Sequence, residues 1–349
     1  MIKFFRKIRE KLISENKISK YLLYAIGEIL LVMIGILLAL QVNNWNETRK
    51  LKLKENEILK EILRDVEETN SEIVGDMFGH LTMLRSAQML KDQISQLNPD
   101  TNQLSSYYRS SAHDLQIYPK TGGFETLKSQ GLEIITNDSL RKNISDLYQL
   151  DYTRLTNFGR LTPESSIIET LLPYTVKHFR TSAQNTREIK IIAPLLDTKI
   201  MRNLIELKSI DDLKNDEEFF VILEHTMQLR TYKILLHRKA LMNGVGVAEL
   251  IEKELNINTD FYDTADTELS EILIGQWEST QSPGDIVTFF EEDNQLYSTS
   301  NFDDSQLKYY ILSDTRFMNT KDDYLKVNRS GDDYTFHENG KTWKKIKKK

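Results

Sequence analysis

From Tyr21 to Val42 the chain reads YLLYAIGEILLVMIGILLALQV, 22 residues in which only Glu28 and Gln41 are strongly polar. At ~1.5 Å rise per residue this run spans ~33 Å as a helix, enough to cross a ~30 Å hydrocarbon core. The pattern predicts one transmembrane helix over residues 21–43. Tyr21 and Tyr24 stand at one end and Trp45 at the other, where amphipathic rings favour the headgroup layers. A signal peptide has an apolar core of ~7–15 residues and a small-residue cleavage site; this run is longer and closes as Leu40-Gln41-Val42-Asn43-Asn44, so it reads as a retained anchor.

Beyond Trp45 the apolar positions take up a helical period. A 3.5-residue seam starting at Leu59 is apolar at 62, 66, 73, 83, 87, 90, 94 and 97, and is interrupted only by Thr69, Asp76 and His80. This predicts one long amphipathic helix, weakened near Gly75 and Gly79 and with a possible break at Asn43, Asn44 and Asn46. Its seam is expected to pack within its own domain rather than as an intermolecular coiled coil, because three of its twelve positions are polar.

Shorter helices follow. Thr121 is a cap for one that stops at Gly131, Asn137 or Asp138 for one through Ile144, Leu147 and Leu150, and Thr162-Pro163 opens one through Ile167 to Leu172. Asn215 precedes a long pattern from Phe219 to Leu255, with Gly244 and Gly246 as points where it could bend or split. Residues 44–256 are thus expected to form an α-helical domain whose first and last helices are antiparallel neighbours.

At 257–270 the periodicity is lost and the chain turns acidic, as in a linker. Short β-type runs then begin near 273, 286, 296, 307, 315, 324, 334 and 341, separated by turn sequences such as Asp293-Asn294, Ser330-Gly331-Asp332 and Asn339-Gly340. Twelve aromatic residues lie from Trp277 to Trp343 inclusive, enough to fill a small core, with Trp277 and Trp343 its central members. The fold class is a membrane-anchored α + β chain: a transmembrane helix, a long-helix bundle, then a small antiparallel β barrel or sandwich over 271–349.

Charge adds an orientation. Residues 1–20 carry seven Lys or Arg, against five in 44–63, which favours a cytoplasmic tail over 1–20 and exported domains, periplasmic in an inner-membrane setting. Within that tail Phe4, Phe5, Ile8, Leu12 and Ile13 fall on one side of a basic helix, as in a segment resting on an anionic leaflet. There is no cysteine, so no thiol for a lipoprotein anchor, and a formal net charge of −6 without a basic stripe argues against nucleic acid.

The stretch Gly27-Glu28-Ile29 through Ile34-Gly35-Ile36 to Ala39-Leu40-Gln41-Val42-Asn43-Asn44-Trp45-Asn46-Glu47, with Leu127-Lys128-Ser129-Gln130-Gly131-Leu132 and Ile135 to Arg141, resembles a family of single-span membrane proteins of unknown function found in Bacteroidota. The resemblance covers about residues 1–256 and implies location and a helical exported domain, but no activity. Gly275-Gln276-Trp277 resembles the Gly-x-Trp that opens lipocalin-type barrels, although the segment has about half their length; small lipocalin-like domains of bacterial exported proteins are a nearer likeness. A tryptophan packed as a core plug outweighs a ligand pocket.

Catalytic constellations are scarce. His80, His113, His178, His225, His237 and His337 never sit four apart, and no His-Glu-x-x-His, Gly-x-Ser-x-Gly or P-loop string occurs. Lys120-Thr121-Gly122-Gly123 before a helix suits an anion nest, with a plain capped turn the stronger reading. The pairs Asp303-Asp304, Asp322-Asp323 and Asp332-Asp333 read as solvated turn carboxylates. Inside the apolar run Glu28, Gly35 and Ala39 share a helix face and form a candidate contact between membrane helices.

No cofactor or metal is expected. The expected partners are the lipid bilayer and another membrane or envelope protein, a second copy of the chain included. The function read from these features is a non-enzymatic envelope protein that presents a helical domain and a β module. The alternatives are an exported ligand sensor signalling through a partner and an enzyme built on scattered carboxylates.

Overall fold

The computed structural model describes residues 18–161, 165–193, 196–257, 269–303, 305–313, 315–338 and 340–347. The basic tail up to residue 17, the Thr162-Pro163 cap, most of the acidic linker, Asp304 and Asn339 lie outside these residues. The chain divides into two units, residues 1–57 and 58–349.

Helix α1 runs unbroken from Ile18 to Ile94, 77 residues, so no break occurs at Asn43–Asn46 or at Gly75 and Gly79. In the first unit its residues from Ile29 to Val42 are all exposed. In the second unit Leu59, Ile62, Val66, Ile73, Ala87, Leu90 and Ile94 of the seam are buried. That burial outweighs the ~1 kcal/mol each interior glycine costs a helix.

Helix α2 (Thr101–Ser111) is capped by Asp100, whose carboxylate accepts from Asn102 N and Gln103 N. Helix α3 spans Gly122–Gln130, but the Thr121 hydroxyl makes no cap bond. Helix α4 (Asp138–Asp146), capped by Asn137, continues through a π-helical turn at Leu147–Tyr152 into α5 (Thr153–Asn157). Ser166 caps α6 (Ile167–His178). The reading of 44–256 as purely helical needs correction here. Phe179–Ala193 and Leu196–Leu207 pair as an antiparallel hairpin, β1 and β2, with a register irregularity between Thr181 and Thr186. A short α7 (Ile210–Lys214) leads to α8 (Glu217–Glu254), 38 residues capped by Asp216 and continuous through Gly244 and Gly246.

In the second unit α1 and α8 are antiparallel. Lys91 meets Glu224, His80 meets Arg230 and Asp76 approaches His237, and Gly244 lies against Asn70. Two apolar cores lie along this pair. One gathers Ile58 to Met77 of α1 with Ala240 to Ile251 of α8 and residues of α3, α4 and α5; the other gathers Ala87 to Ile94 with Leu104, Tyr108, Tyr174, Phe219 and Leu223.

Helix α9 (Leu269–Leu273) takes up the last linker positions and Leu273, which the sequence pattern assigns to a strand. Eight strands follow: β3 (Gly275–Ser279), β4 (Ile286–Glu292), β5 (Gln295–Ser300), β6 (Leu307–Ile311), β7 (Arg316–Asn319), β8 (Tyr324–Ser330), β9 (Asp333–Glu338) and β10 (Lys341–Lys345). Each pairs with its sequence neighbours, and β10 closes on β3 to complete an antiparallel barrel. Asp293 and Asn294 both have positive φ, and Gly331 stands at φ 60°, as tight two-residue hairpins between twisted strands require.

The interior alternates as a period of two demands: Trp277, Val287, Phe289, Leu296, Tyr309, Phe317, Leu325, Val327, Phe336 and Trp343 point in. Leu269, Ile272 and Leu273 of α9 plug one end, and Trp277 Nε1 donates to Leu273 O at 2.8 Å. The interior is therefore a packed core of side chains.

The start of α3 is fixed by close approach to α1. A Cβ at Gly123 would stand 2.7 Å from Ile62 N and 2.9 Å from Glu61 C, whereas one at Gly122 would meet nothing closer than 3.5 Å. Gly123→Ala is expected to lose about 1–3 kcal/mol in chemical denaturation, with Gly122→Ala close to the parent. Equal stability of the two variants would contradict the contact.

Candidate functional site

The three polar residues that interrupt the α1 seam all meet polar groups. Thr69 Oγ1 donates to Asp65 O at 2.7 Å and accepts from Lys120 N at 3.0 Å. One turn earlier, Asp65 Oδ2 accepts from Gly123 N at 2.7 Å. The Lys120-Thr121-Gly122-Gly123 turn thus presents an N–H to an anion, and the anion is the chain's own carboxylate.

Asp76 and His80 belong to a polar layer between the two helical cores. Arg230, fully buried, donates to His80 Nδ1 at 3.0 Å and to the carbonyls of Ser111 and His113 at 2.9 and 2.7 Å. A guanidinium cannot accept, so Nδ1 of His80 is the acceptor and its proton sits on Nε2. Burial, then the positive neighbours His237, Arg230 and Lys233, hold the His80 imidazole down at about 2, hence neutral. Nδ1 of His237 carries a proton, which it donates to Lys233 O at 2.8 Å. Its ring stands edge-on to His80 at 5.1 Å, and its Nε2 lies 3.8 Å from Asp76 Oδ2. Lys233 is paired with Asp114 at 2.6 Å.

A second polar cluster joins the barrel to the helices. Arg316 and Lys326 are cross-strand partners on β7 and β8 and point outward. Like charges in that position repel. Glu252 of α8 lies between them: it accepts from Arg316 Nη2 at 3.0 Å and from Lys326 Nζ in a short bond. Arg316 is completely buried and also bonds Glu67 of α1, through Nε at 3.1 Å and through Nη2. Burial by itself would lower this guanidinium, but the carboxylates of Glu67 and Glu252 hold it above its ordinary range. Asn70 Nδ2 donates to Tyr324 OH at 3.3 Å, and Leu312, Met318 and Tyr324 pack on the helical core.

Above this junction an open groove of about 970 Å³ runs between α1 and α8. Leu81 and Arg85 form one wall, Gln228, Tyr232 and Leu235 the other, and Tyr310 of the barrel stands at one end. Its wall residues lie off the α1 seam and on the outer face of α8. Apolar residues outside the seam were the signal available in the sequence. For Arg316 no local signal existed, because Glu67 and Glu252 are far from it in the chain.

Other singled-out residues are dispersed. On α1, Glu28 is half-exposed, Gly35 and Ala39 are exposed, and Trp45 is exposed; Tyr21 and Tyr24 lie in its helical backbone. Trp277 and Trp343 are buried in the barrel. His178 Nε2 lies 2.5 Å from Asp216 Oδ2 in the interior, and His337 Nδ1 lies 2.9 Å from Thr342 Oγ1. Among the described residues no group of three or more His, Asp or Glu is arranged to hold a metal ion.

At the barrel end away from α9, Glu338 Oε1 accepts from Asn319 Nδ2 at 2.8 Å and lies 3.4 Å from Tyr309 OH. Burial and the Asp323 carboxylate push the Glu338 carboxyl up to about 7, against the effect of these bonds.

Two outcomes follow from these clusters. Arg316→Met takes the cation from half-buried Glu67 and leaves buried Glu252 with Lys326 alone, and is expected to cost about 2–4 kcal/mol in urea unfolding; a loss below 1 kcal/mol would show the junction open in solution. Between the unfolded carboxyl range and about 7, the folded chain holds a proton on Glu338 that the unfolded chain has released. Stability should therefore fall as pH rises through that window, and Glu338→Gln should flatten the profile and gain about 1–3 kcal/mol at pH 8 relative to pH 5. Parallel profiles for parent and variant would refute this.

The profile of a family of unknown function (DUF6090) matches residues 28–166, less than half of the chain. No curated protein and no solved structure matches it. The matched stretch begins at Glu28 inside the apolar run, contains the Leu127 to Arg141 segment and ends before α6, so it leaves α8, the hairpin and the barrel outside.

Proposed function

We propose that the chain is a non-enzymatic, single-pass protein of a bacterial inner membrane, of Bacteroidota type by its anchor sequence, with a cytoplasmic N-terminus and its helical and barrel modules in the periplasm. The observation that carries this reading is α1. Its N-terminal apolar window is long enough to cross a bilayer and has none of its residues buried, while the same helix from Ile58 onward supplies the seam of a folded core. Large aliphatic side chains exposed in an unbroken run suit a lipid surround.

The role assigned to the folded part is presentation of a surface to another membrane or envelope protein. Docking of the barrel on the helices through Arg316, Glu67 and Glu252 supports this, since a partner then meets one rigid module rather than two tethered ones. Within the membrane, Glu28, Gly35 and Ala39 are assigned to a helix contact, where small residues let backbones approach and a carboxyl donates across the interface. An added Cβ at Gly35 meets nothing within 4 Å. The α1/α8 groove favours, as a second reading, a ligand sensor acting through a partner.

The test is made on the full chain in its membranes. It should remain in the membrane fraction after alkaline carbonate, and a reporter fused after residue 256 should be exported. Glu28→Leu and Gly35→Ile should each reduce capture of a co-purifying partner without altering insertion. A soluble chain, or a C-terminal module shielded from protease in spheroplasts, would overturn the anchor and its orientation. Thermal stabilisation by a small ligand with no co-purifying protein would favour the sensor.

A further inference from the structure

Helix α6 buries Ile167, Leu171 and Tyr174 on one side and exposes Ile168, Leu172 and Val176 on the other, at 52%, 56% and 67% of their surfaces. These three stand four residues apart, so they form one ridge ~12 Å long. A helix face that meets only water is ordinarily polar, and an aligned row of large aliphatics marks a contact surface. The same molecule carries a receptor of matching form. The α1/α8 groove extends from Phe78 to Gln88 on its α1 wall, ~15 Å of helix, and its walls expose Leu81, Tyr232 and Leu235.

Charge supplies a second match. Glu169 is exposed beside the ridge, and Arg85 stands on the groove wall; neither makes an ion pair among the described residues. We propose that the α6 ridge of one copy docks in the α1/α8 groove of a second copy, with Glu169 opposite Arg85. A ridge of i, i+4 side chains laid between two antiparallel helices completes a three-helix layer, the usual way a helix fills a helical groove. The aliphatic row contributes burial, and the rim pair sets orientation. Ridge and groove are different surfaces, so the pair closes as an isologous dimer where a two-fold axis forms both contacts at once, and otherwise the contact is heterologous and repeats.

This deepens the interaction reading given above and rests on it for the presence of a binding surface, although not for the membrane anchor. The chain has no cysteine, so introduced thiols report without background. Full-length Leu172→Cys and Leu235→Cys chains with different tags are mixed in detergent and oxidised. The mixed disulfide is expected to exceed, by roughly tenfold, that formed when Leu172→Cys is mixed with Leu97→Cys, because docked thiols have a high effective concentration. Leu97 is the control, being 96% exposed and beyond the end of α1. All three positions are at the surface, and unchanged thermal melting verifies the fold.

Arg85→Glu and Glu169→Arg should each reduce the cross-link about two- to fivefold, and the double reversal should restore it. A mixed disulfide no stronger than the Leu97 control overturns the proposal. So does a Leu172 thiol that links only to its own counterpart or only to another membrane protein, or a double reversal that restores nothing. Membrane fractionation is read separately, so a bound chain whose copies do not cross-link removes this inference and leaves the anchor standing.

Discussion

The antiparallel pairing of α1 with α8 is the constraint on which the rest of the second unit depends. Two greasy helices alone could slide past one another with little change in burial. The polar layer between the two cores prevents this, because Arg230 is fully buried and its donors meet His80, Ser111 O and His113 O only in one register. A shift of one turn would leave a guanidinium without acceptors in the interior, a penalty of several kcal/mol. The same layer ties down the connection after α2, since Asp114 pairs with Lys233 of α8.

Once that pair is in register, the barrel has a place to dock. Glu67 on α1 and Glu252 on α8 come from helices of opposite direction, and their shared cation arrives from β7. Repulsion between Arg316 and Lys326 on the barrel's outer face is relieved by Glu252, a carboxylate that the barrel does not possess. Barrel and helices therefore complete each other electrostatically, while the barrel's own interior is closed by Trp277, Phe336 and the α9 plug. A filled interior moves attention from a cavity to the outer surface, where the α1/α8 groove and the α6 ridge lie.

Much of this architecture is legible in the sequence. Alternation and turn chemistry locate the eight strands to within a residue or two, because a half-buried strand has to alternate and its hairpins require residues such as Asp293, Asn294 and Gly331 that tolerate positive φ. The α1 seam is equally plain. The hairpin of β1 and β2 is not: the pattern counts Phe179 to Leu207 as part of a helical domain, and its root is stabilised by packing on α2, shown by the bond from Leu207 N to Ser105 Oγ and the stacking of Tyr108 on Phe179.

What the sequence determines by itself is set by local pattern: an apolar run long enough for a bilayer, a helical seam, a barrel's alternation, and three polar residues that break the seam. Whether Thr69, Asp76 and His80 weaken the helix or hold it in register depends on partners 51, 161 and 150 residues away, and only the tertiary structure decides that they are the register. Arg316 shows the same limit. On a strand's outer face it looks like a solvated charge, and its complete burial arises because two helices bring Glu67 and Glu252 to it from positions no sequence period connects.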